Sequence, residues 1–219
     1  MKVEIWSDVM CPFCYIGKRK FEAAMAEFPD RDKIEVVWKS FQLSPDMKTD
    51  PATNINQYLA EHKGISLDEA KRLNDYVTQM AAQVGLTYNF DKAVAANSFN
   101  AHRFTHFAKR SGKQNEAEEK LFNAYFTGGK NIDDFETLIS LGKEIGLDTE
   151  KLRSVLESGG YADEVRRDIY EAKQVGARGV PFFVFNNKYA VSGAQESRVF
   201  LQALETSFSG WQDENPDAE

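Results

Sequence analysis

With 219 residues, 42% of them hydrophobic, the chain can build one large domain, or one domain with a second inserted into it. Its net charge of −7, with basic residues only in short runs such as Lys18-Arg19-Lys20 and Arg166-Arg167 that read as solvated helix faces, argues against a nucleic-acid partner. No apolar run approaches the roughly 18 residues of a membrane span, and Lys2, Glu4 and Asp8 interrupt the stretch a secretory signal needs, so the expectation is a cytoplasmic protein with no membrane partner.

Residues 2–8 are β-branched and aromatic enough for a strand, with Val3 and Ile5 on one side and Trp6 on the other. Cys11-Pro12-Phe13-Cys14 comes next, then a helix whose apolar positions Ile16, Phe21, Ala24, Met25 and Phe28 recur at helical spacing. Pro12 suits the first turn, where a missing N–H costs nothing. Pro29-Asp30 stops the helix, and residues 34–43 form a second strand. Strand, helix and strand within about 40 residues predict a parallel βαβ unit.

A polar, proline-punctuated stretch over 46–56 leads into a different substructure, and from there to residue 160 only helical patterns occur. Ser66 and Glu69 have capping-box spacing and open a helix expected to bury Leu73, Val77, Met80 and Val84. Further helices are expected at 98–110 and at 115–127, the latter closed by Gly128-Gly129. Two more bury Phe135, Leu138, Ile139 and Ile145, and then Leu152, Val155 and Leu156. A long helix over 161–175 leads out, and the periodicity switches. Residues 180–185 read as a strand, Asn186-Asn187 as a two-residue hairpin turn and 188–191 as the return strand. Ser192-Gly193 turns into a last helix with Val199, Phe200, Ala203, Leu204 and Phe208 inward, and 209–219 form a polar acidic tail expected to fray. The order βαβ, helical block, ββα describes an α/β protein. Its outer domain comprises 1–46 and 165–208, interrupted by an all-helical insertion over 47–164.

The chain has two cysteines, and their closed loop is too short to staple a fold. At a helix start, the two-residue spacing lets the sulfurs meet. The first cysteine is expected at the exposed end, where unpaired N–H groups and the helix dipole favour a thiolate. Thiols in such motifs titrate from about 8.5 down to about 3.5–7. Cys11 then attacks, and Cys14, one turn along and more buried, resolves the mixed disulfide. Zinc is the rival reading, with His62, His102 and His106 as the other candidate ligands; the last two are four apart on one predicted helix. Because the cysteines lie at a strand–helix junction and those histidines lie far along in the helical block, no metal and no cofactor is expected. His102 and His106 are read as one solvated and one at an interface. Pro181 opens a strand, either as a simple entry proline or as a cis-proline facing the cysteines that leaves the Val180 backbone free to pair with a substrate strand.

Three stretches together resemble the thioredoxin superfamily and, more closely, the cytoplasmic DsbA-like dithiol oxidoreductases of the FrnE type. They are Ser7-Asp8-Val9-Met10-Cys11-Pro12-Phe13-Cys14 with Gly17, residues 97–104 with Ala101-His102-Arg103, and Gly179-Val180-Pro181-Phe182-Phe183. The resemblance covers nearly the whole chain. It implies a thioredoxin fold with a central mixed sheet and a helical domain inserted between its halves. It also implies Cys11 as nucleophile, Cys14 as resolver, a cis peptide at Val180-Pro181, and protein thiol–disulfide oxidoreductase activity in formation, reduction or isomerisation. Pro12, Phe13, Val180 and His102 become candidates for contacting the substrate, a protein or small-molecule thiol or disulfide, glutathione included.

Two departures stand out. Many relatives carry a buried acid six residues before the first cysteine, where this chain has Ile5; Glu4 points to the other face, which leaves Asp8 and Lys39 as candidates for the proton route. Periplasmic relatives often carry a histidine between the cysteines, where this chain has Pro12-Phe13, which implies a less oxidising centre. Glutathione-dependent isomerases of the 2-hydroxychromene-2-carboxylate type and kappa-class glutathione transferases are similar in fold but use a serine at the first position. A non-catalytic thioredoxin-like chaperone or binding module is the other alternative. The intact cysteine pair and Val180-Pro181 favour dithiol chemistry. Monomer and homodimer both stay open, since 16 Phe and 8 Tyr leave room for a dimer patch.

Overall fold

A computed structural model describes residues 1–216. Strand β1 (Lys2–Ser7) is buried on both faces, including Val3, Glu4, Ile5 and Trp6, as a central strand must be. Helix α1 (Pro12–Glu27) starts with Pro12 and has Cys11 as its N-cap. Strand β2 (Glu35–Ser40) runs parallel to β1, with Lys2 opposite Glu35 and Ser7 opposite Ser40.

The chain then builds β3 (Asp50–Asn54), α2 (Ile55–Lys63), α3 (Leu67–Ala82), β4 (Val94–Ala95), α4 (Phe99–Lys109) and α5 (Gln114–Phe122). A π-helical turn (Asn123–Thr127) extends α5, and α6 (Phe135–Glu144), α7 (Thr149–Glu157) and α8 (Ala162–Gln174) follow. Strands β5 (Phe182–Phe185) and β6 (Tyr189–Ser192) and helix α9 (Ser197–Glu214) complete the order. The main sheet has the order β2-β1-β5-β6 and is mixed, because β5 runs antiparallel to both β1 and β6.

The segment between β2 and β5 departs from the all-helical expectation. Strands β3 and β4 pair antiparallel with a register shift between Asp50 and Asn54. Neither shows an apolar alternation, since β4 is two residues long and β3 reads Asp-Pro-Ala-Thr-Asn, so hydrophobic period could not reveal them. The Asn54 side chain accepts from the Asn56 N–H and donates to the carbonyls of Phe90 and Asp91, which draws these segments together. Ser66 caps α3 through the Glu69 N–H, as the spacing predicts. The buried stripe of α3 is Ala70, Asn74, Val77 and Ala81, however, and Leu73 is exposed. Asn74 is held inside by a 2.6 Å hydrogen bond to Asn56, and that bond offsets the cost of burying its amide.

At the hairpin, Asn186 (φ 49°) and Asn187 (φ 56°) occupy the left-handed region. Phe185 pairs with Tyr189, so the connection has three residues and the return strand starts one later than expected. Helix α9 continues to Glu214, which makes residues 209–214 helical where a frayed tail was expected; Val199 faces outward. Of the expected tail, 217–219 lie outside the described residues.

Alternation along β5 builds two apolar layers. Phe183 and Phe185 face α1 and α9, where they meet Phe21 and Phe200; the Phe183–Phe200 ring centroids are 4.6 Å apart. Phe182 and Val184 face the other way, with Trp6 and Ala172 of α8. Trp6 Nε1 donates to the Asp168 carbonyl at 2.9 Å, which ties α8 to β1. The Gln114 amide accepts from the Trp38 N–H and donates to the Trp38 carbonyl, so α5 covers the open edge of β2.

Candidate active site

The strand order brings the two ends of the chain's chemistry together. β1 delivers Ser7 and Asp8 to the start of α1, and β5, its neighbour, is entered through Val180 and Pro181. The Cys11 thiol donates to the Val180 carbonyl at 3.5 Å, across 169 residues of sequence. The Val180–Pro181 peptide bond is cis. Gly17 makes this approach possible: a Cβ there would stand 3.0 Å from the Pro181 ring.

Cys11 and Cys14 are both free thiols, 3% and 1% exposed. The expected exposed position of Cys11 is therefore corrected, because Val180 packs over its sulfur. Pro12 and Val180 are half-buried and Phe13 is exposed, which gives the cysteines an apolar rim. Tyr88, from the segment before β4, donates its hydroxyl to the Pro12 carbonyl at 2.7 Å and pins the first turn of α1. Burial, with Cys11 and Cys14 as neighbours, pushes the Tyr88 hydroxyl well above the usual phenol range. Burial also pushes the Cys14 thiol up, as does its neighbour Cys11; the Asp8 backbone and the Ser7 side chain pull the other way.

Asp8 is fully buried behind the motif. Its carboxylate accepts from the Leu43 N–H at 2.7 Å and the Met10 N–H at 3.4 Å, and lies 3.6 Å from His102 Nε2. His102 Nε2 is 2.8 Å from the Phe41 carbonyl, which can only accept, so this nitrogen carries a proton. Burial lowers the His102 pKa, but Asp8 and then Glu118 outweigh it, and the net shift is upward. Glu118 of α5 is itself enclosed: burial raises its carboxyl to about 7 against the charges of His102 and Lys18, and Oε2 has no hydrogen-bond partner.

His102, expected at the substrate surface, is 1% exposed and braces the Asp8 loop instead. His106 is not solvated either; it bonds Ser40 Oγ at 3.2 Å and the Asp168 carboxylate at 3.0 Å. The two histidines thus have separate partners. Among the described residues no group of three His, Cys, Asp or Glu is placed to hold a metal ion. Lys39 lies on the α8 face, bonded to Asp168 at 2.9 Å and Glu171 at 2.6 Å, and Ile5 is completely buried. Of the two proton-route candidates, only Asp8 is near the cysteines. Sequence reasoning did not single out Tyr88, Ser7 or Glu118 for a role. For Glu118 a signal existed, since it falls at helical spacing with the buried Gln114, Leu121 and Phe122; nothing in the sequence marks Tyr88.

A family model described as the DSBA-like thioredoxin domain matches residues 2–205. The uncharacterized protein YwbO of Bacillus subtilis (strain 168) is 30% identical over 208 residues, covering 92% of this chain and 94% of that protein. A crystal structure of a probable DsbA oxidoreductase from Streptomyces coelicolor has 41% identity and a TM-score of 0.89, over 95% of this chain and 90% of that one. The cytosolic disulfide reductase DsbM from Pseudomonas aeruginosa, also solved with GSH, shares the fold at 16% identity, with a TM-score of 0.68 over 95% of this chain and 99% of that one. The family match thus runs from β1 into α9 and takes in both the cysteine pair and Pro181, and the chain belongs to the DSBA-like thioredoxin domain family.

Proposed function

We propose that the chain is a protein thiol–disulfide oxidoreductase of the FrnE type, with Cys11 as nucleophile and Cys14 as resolving thiol. The observation that carries this reading is the approach of the Cys11 sulfur to the Val180 carbonyl, 3.5 Å away at the entry to β5. A dithiol at a helix N-terminus, beside a backbone segment that can pair with an extended chain, supplies both parts of the reaction. The N-terminal N–H groups favour negative charge on Cys11 as it attacks. Val180 holds the substrate strand in line, and Pro12 and Phe13 offer apolar contact.

In the forward step the Cys11 thiolate attacks a substrate disulfide, one substrate thiolate leaves, and a mixed disulfide forms. Cys14 then attacks Cys11 and releases the second substrate thiol. Protein and small-molecule disulfides, glutathione included, are the substrate class, in a cytoplasmic setting. Pro12-Phe13 between the cysteines, without a histidine, supports a centre less oxidising than that of the periplasmic relatives. In this reading residues 47–164 are an inserted domain between the halves 1–46 and 165–208.

Insulin reduction in the presence of dithiothreitol tests the proposal. The wild type should accelerate precipitation, and Cys11→Ser should lose at least about a hundredfold of that rate, as removal of a covalent nucleophile does. Precipitation by the wild type no faster than in buffer would sink it.

A further inference from the structure

The first turn of α1 carries both cysteines, yet its own sequence holds it weakly. Pro12 brings no N–H, and Cys11, the N-cap residue, makes no side-chain capping bond among the described residues. The Cys11 N–H donates to the Asp8 carbonyl at 2.9 Å and the Cys14 N–H to the Cys11 carbonyl at 3.0 Å. Between these two bonds lies the Pro12–Phe13 peptide, which spans the pair. Its carbonyl accepts from the Tyr88 hydroxyl at 2.7 Å, across 76 residues of sequence.

Tyr88 is itself gripped through its neighbours. The Thr87 carbonyl accepts from the Thr127 hydroxyl at 2.6 Å. The Asn89 N–H donates to the Phe126 carbonyl at 2.7 Å, and the Asn89 amide to the Thr127 carbonyl at 2.8 Å. These three bonds lash residues 87–89 to the π-helical turn Asn123–Thr127, using carbonyls of the kind a helix end leaves unpaired. The chain then presses on the residues after the turn: a Cβ at Gly129 would stand 2.5 Å from the Lys92 carbonyl. The Tyr88 ring stacks on Phe126 with centroids 4.5 Å apart, and lies 6.2 Å from the Tyr15 ring of α1 at an interplanar angle of 20°. The hydroxyl is thus fixed by packing and by its flanking residues before it meets Pro12.

We propose that Tyr88 is a positioning residue for the resolving step: anchored on the π-helical turn, it holds the Pro12 carbonyl, and with it the span between Cys11 and Cys14, in the geometry that lets Cys14 reach the mixed disulfide. This rests on the redox reading of the cysteine pair. In that step Cys14 loses its proton to solvent, and its sulfur bonds to the Cys11 sulfur. The Cys11–substrate S–S bond breaks, and the substrate thiolate leaves and takes up a proton from water. The cysteine pair is oxidised and the substrate sulfur reduced, with no other reactant. Tyr88 keeps its proton throughout. The attack is intramolecular, so its rate depends on how well the two sulfurs are held in line, and a first turn that flexes loses that advantage. Attack by Cys11 on a free disulfide needs no alignment with Cys14 and depends less on Tyr88.

Stoichiometric reaction with dithiobis(nitrobenzoate) separates the two steps. The first thionitrobenzoate released reports attack by Cys11, and the second reports resolution by Cys14. Tyr88→Phe keeps the ring and removes only the hydroxyl. Its second release should slow about three- to tenfold, the equivalent of one hydrogen bond, while the first stays near the wild-type rate. Thr127→Val, which loosens the anchor without touching Tyr88, should slow the second release by a smaller factor. A wild-type ratio of second to first release in either variant overturns the proposal. So does a Tyr88→Phe variant that slows both releases alike, because general loosening of the fold would do the same. Release of a single equivalent by the wild type overturns the redox reading, and the role of Tyr88 with it.

Discussion

Glu118 and Glu119 are adjacent on α5, yet they belong to two different regions of the molecule. Glu119 lies in the seam between α5 and α1. Its carboxylate accepts from Tyr15 at 2.6 Å, from Lys18 at 2.8 Å and from Arg19, and although burial raises its pKa these partners bring it down to about 2. Glu118 points inward, toward Asp8 and His102 behind the cysteines; Oε2 has no partner and its carboxyl rises to about 7. The seam is saturated with hydrogen bonds and fastens α5 to α1. Behind the motif, Glu118 Oε2 is buried without a partner, and its carboxyl is raised rather than lowered.

Three substitutions along α5 sharpen or break this contrast. The largest effect belongs to Glu118→Gln. A folded-state pKa raised from 4.5 to about 7 means that the carboxyl's contribution is intact below pH 4.5 and is lost as pH rises through 7. Wild-type stability should therefore fall across that window by up to about 3 kcal/mol from this residue, while the variant should be flatter and more stable at pH 8. Urea unfolding at intervals from pH 5 to pH 8 measures it, and parallel curves would break the contrast on the inner side.

Glu119→Gln should act in the opposite direction. Its depressed pKa contributes stability above 4.5 that is lost as pH falls through about 2. With its side chain 33% exposed, the loss at pH 7 should be discounted to about 1–2 kcal/mol. The variant should also lose less than the wild type between pH 4.5 and pH 2.5, which acid titration followed by circular dichroism reads. A variant as stable as the wild type at pH 7 would mean that the seam holds nothing.

The smallest effect is expected one residue further on. Lys120 pairs with Glu144 at 2.8 Å, but the two side chains are 42% and 50% exposed. Lys120→Ala should change stability by less than about 0.5 kcal/mol, and 0.5 M salt should remove most of that. A larger loss would show that proximity to solvent does not set the order along α5.

Much of this protein was legible in the sequence. Helical spacing locates α1, α3 to α8 and α9, because each buries one apolar stripe whose period survives without knowledge of the partner; α2 was not foreseen. The switch to β-branched and aromatic runs marks β1, β2 and β5 for the same reason. The two-strand sheet of β3 and β4 was not legible, because backbone pairing and the Asn54 amide hold it rather than an apolar face. The outward turn of Leu73 escaped as well, since the buried Asn74–Asn56 pair reverses the usual preference. In the site, the place of the cysteines at a strand–helix junction was legible. The burial of Cys11 and of His102 was not, because it depends on what packs over them.

The sequence by itself determined a two-residue cysteine pair at a strand–helix junction and a proline at the start of a distant strand, because local spacing and local backbone restrictions carry both. Only the tertiary structure decided that Val180 stands over Cys11, that Tyr88 pins the first turn of α1, and that two adjacent glutamates have opposite protonation chemistry. Those outcomes depend on burial and on partners up to 169 residues away, and dielectric surroundings are a property of the folded assembly of elements rather than of any one stretch of chain.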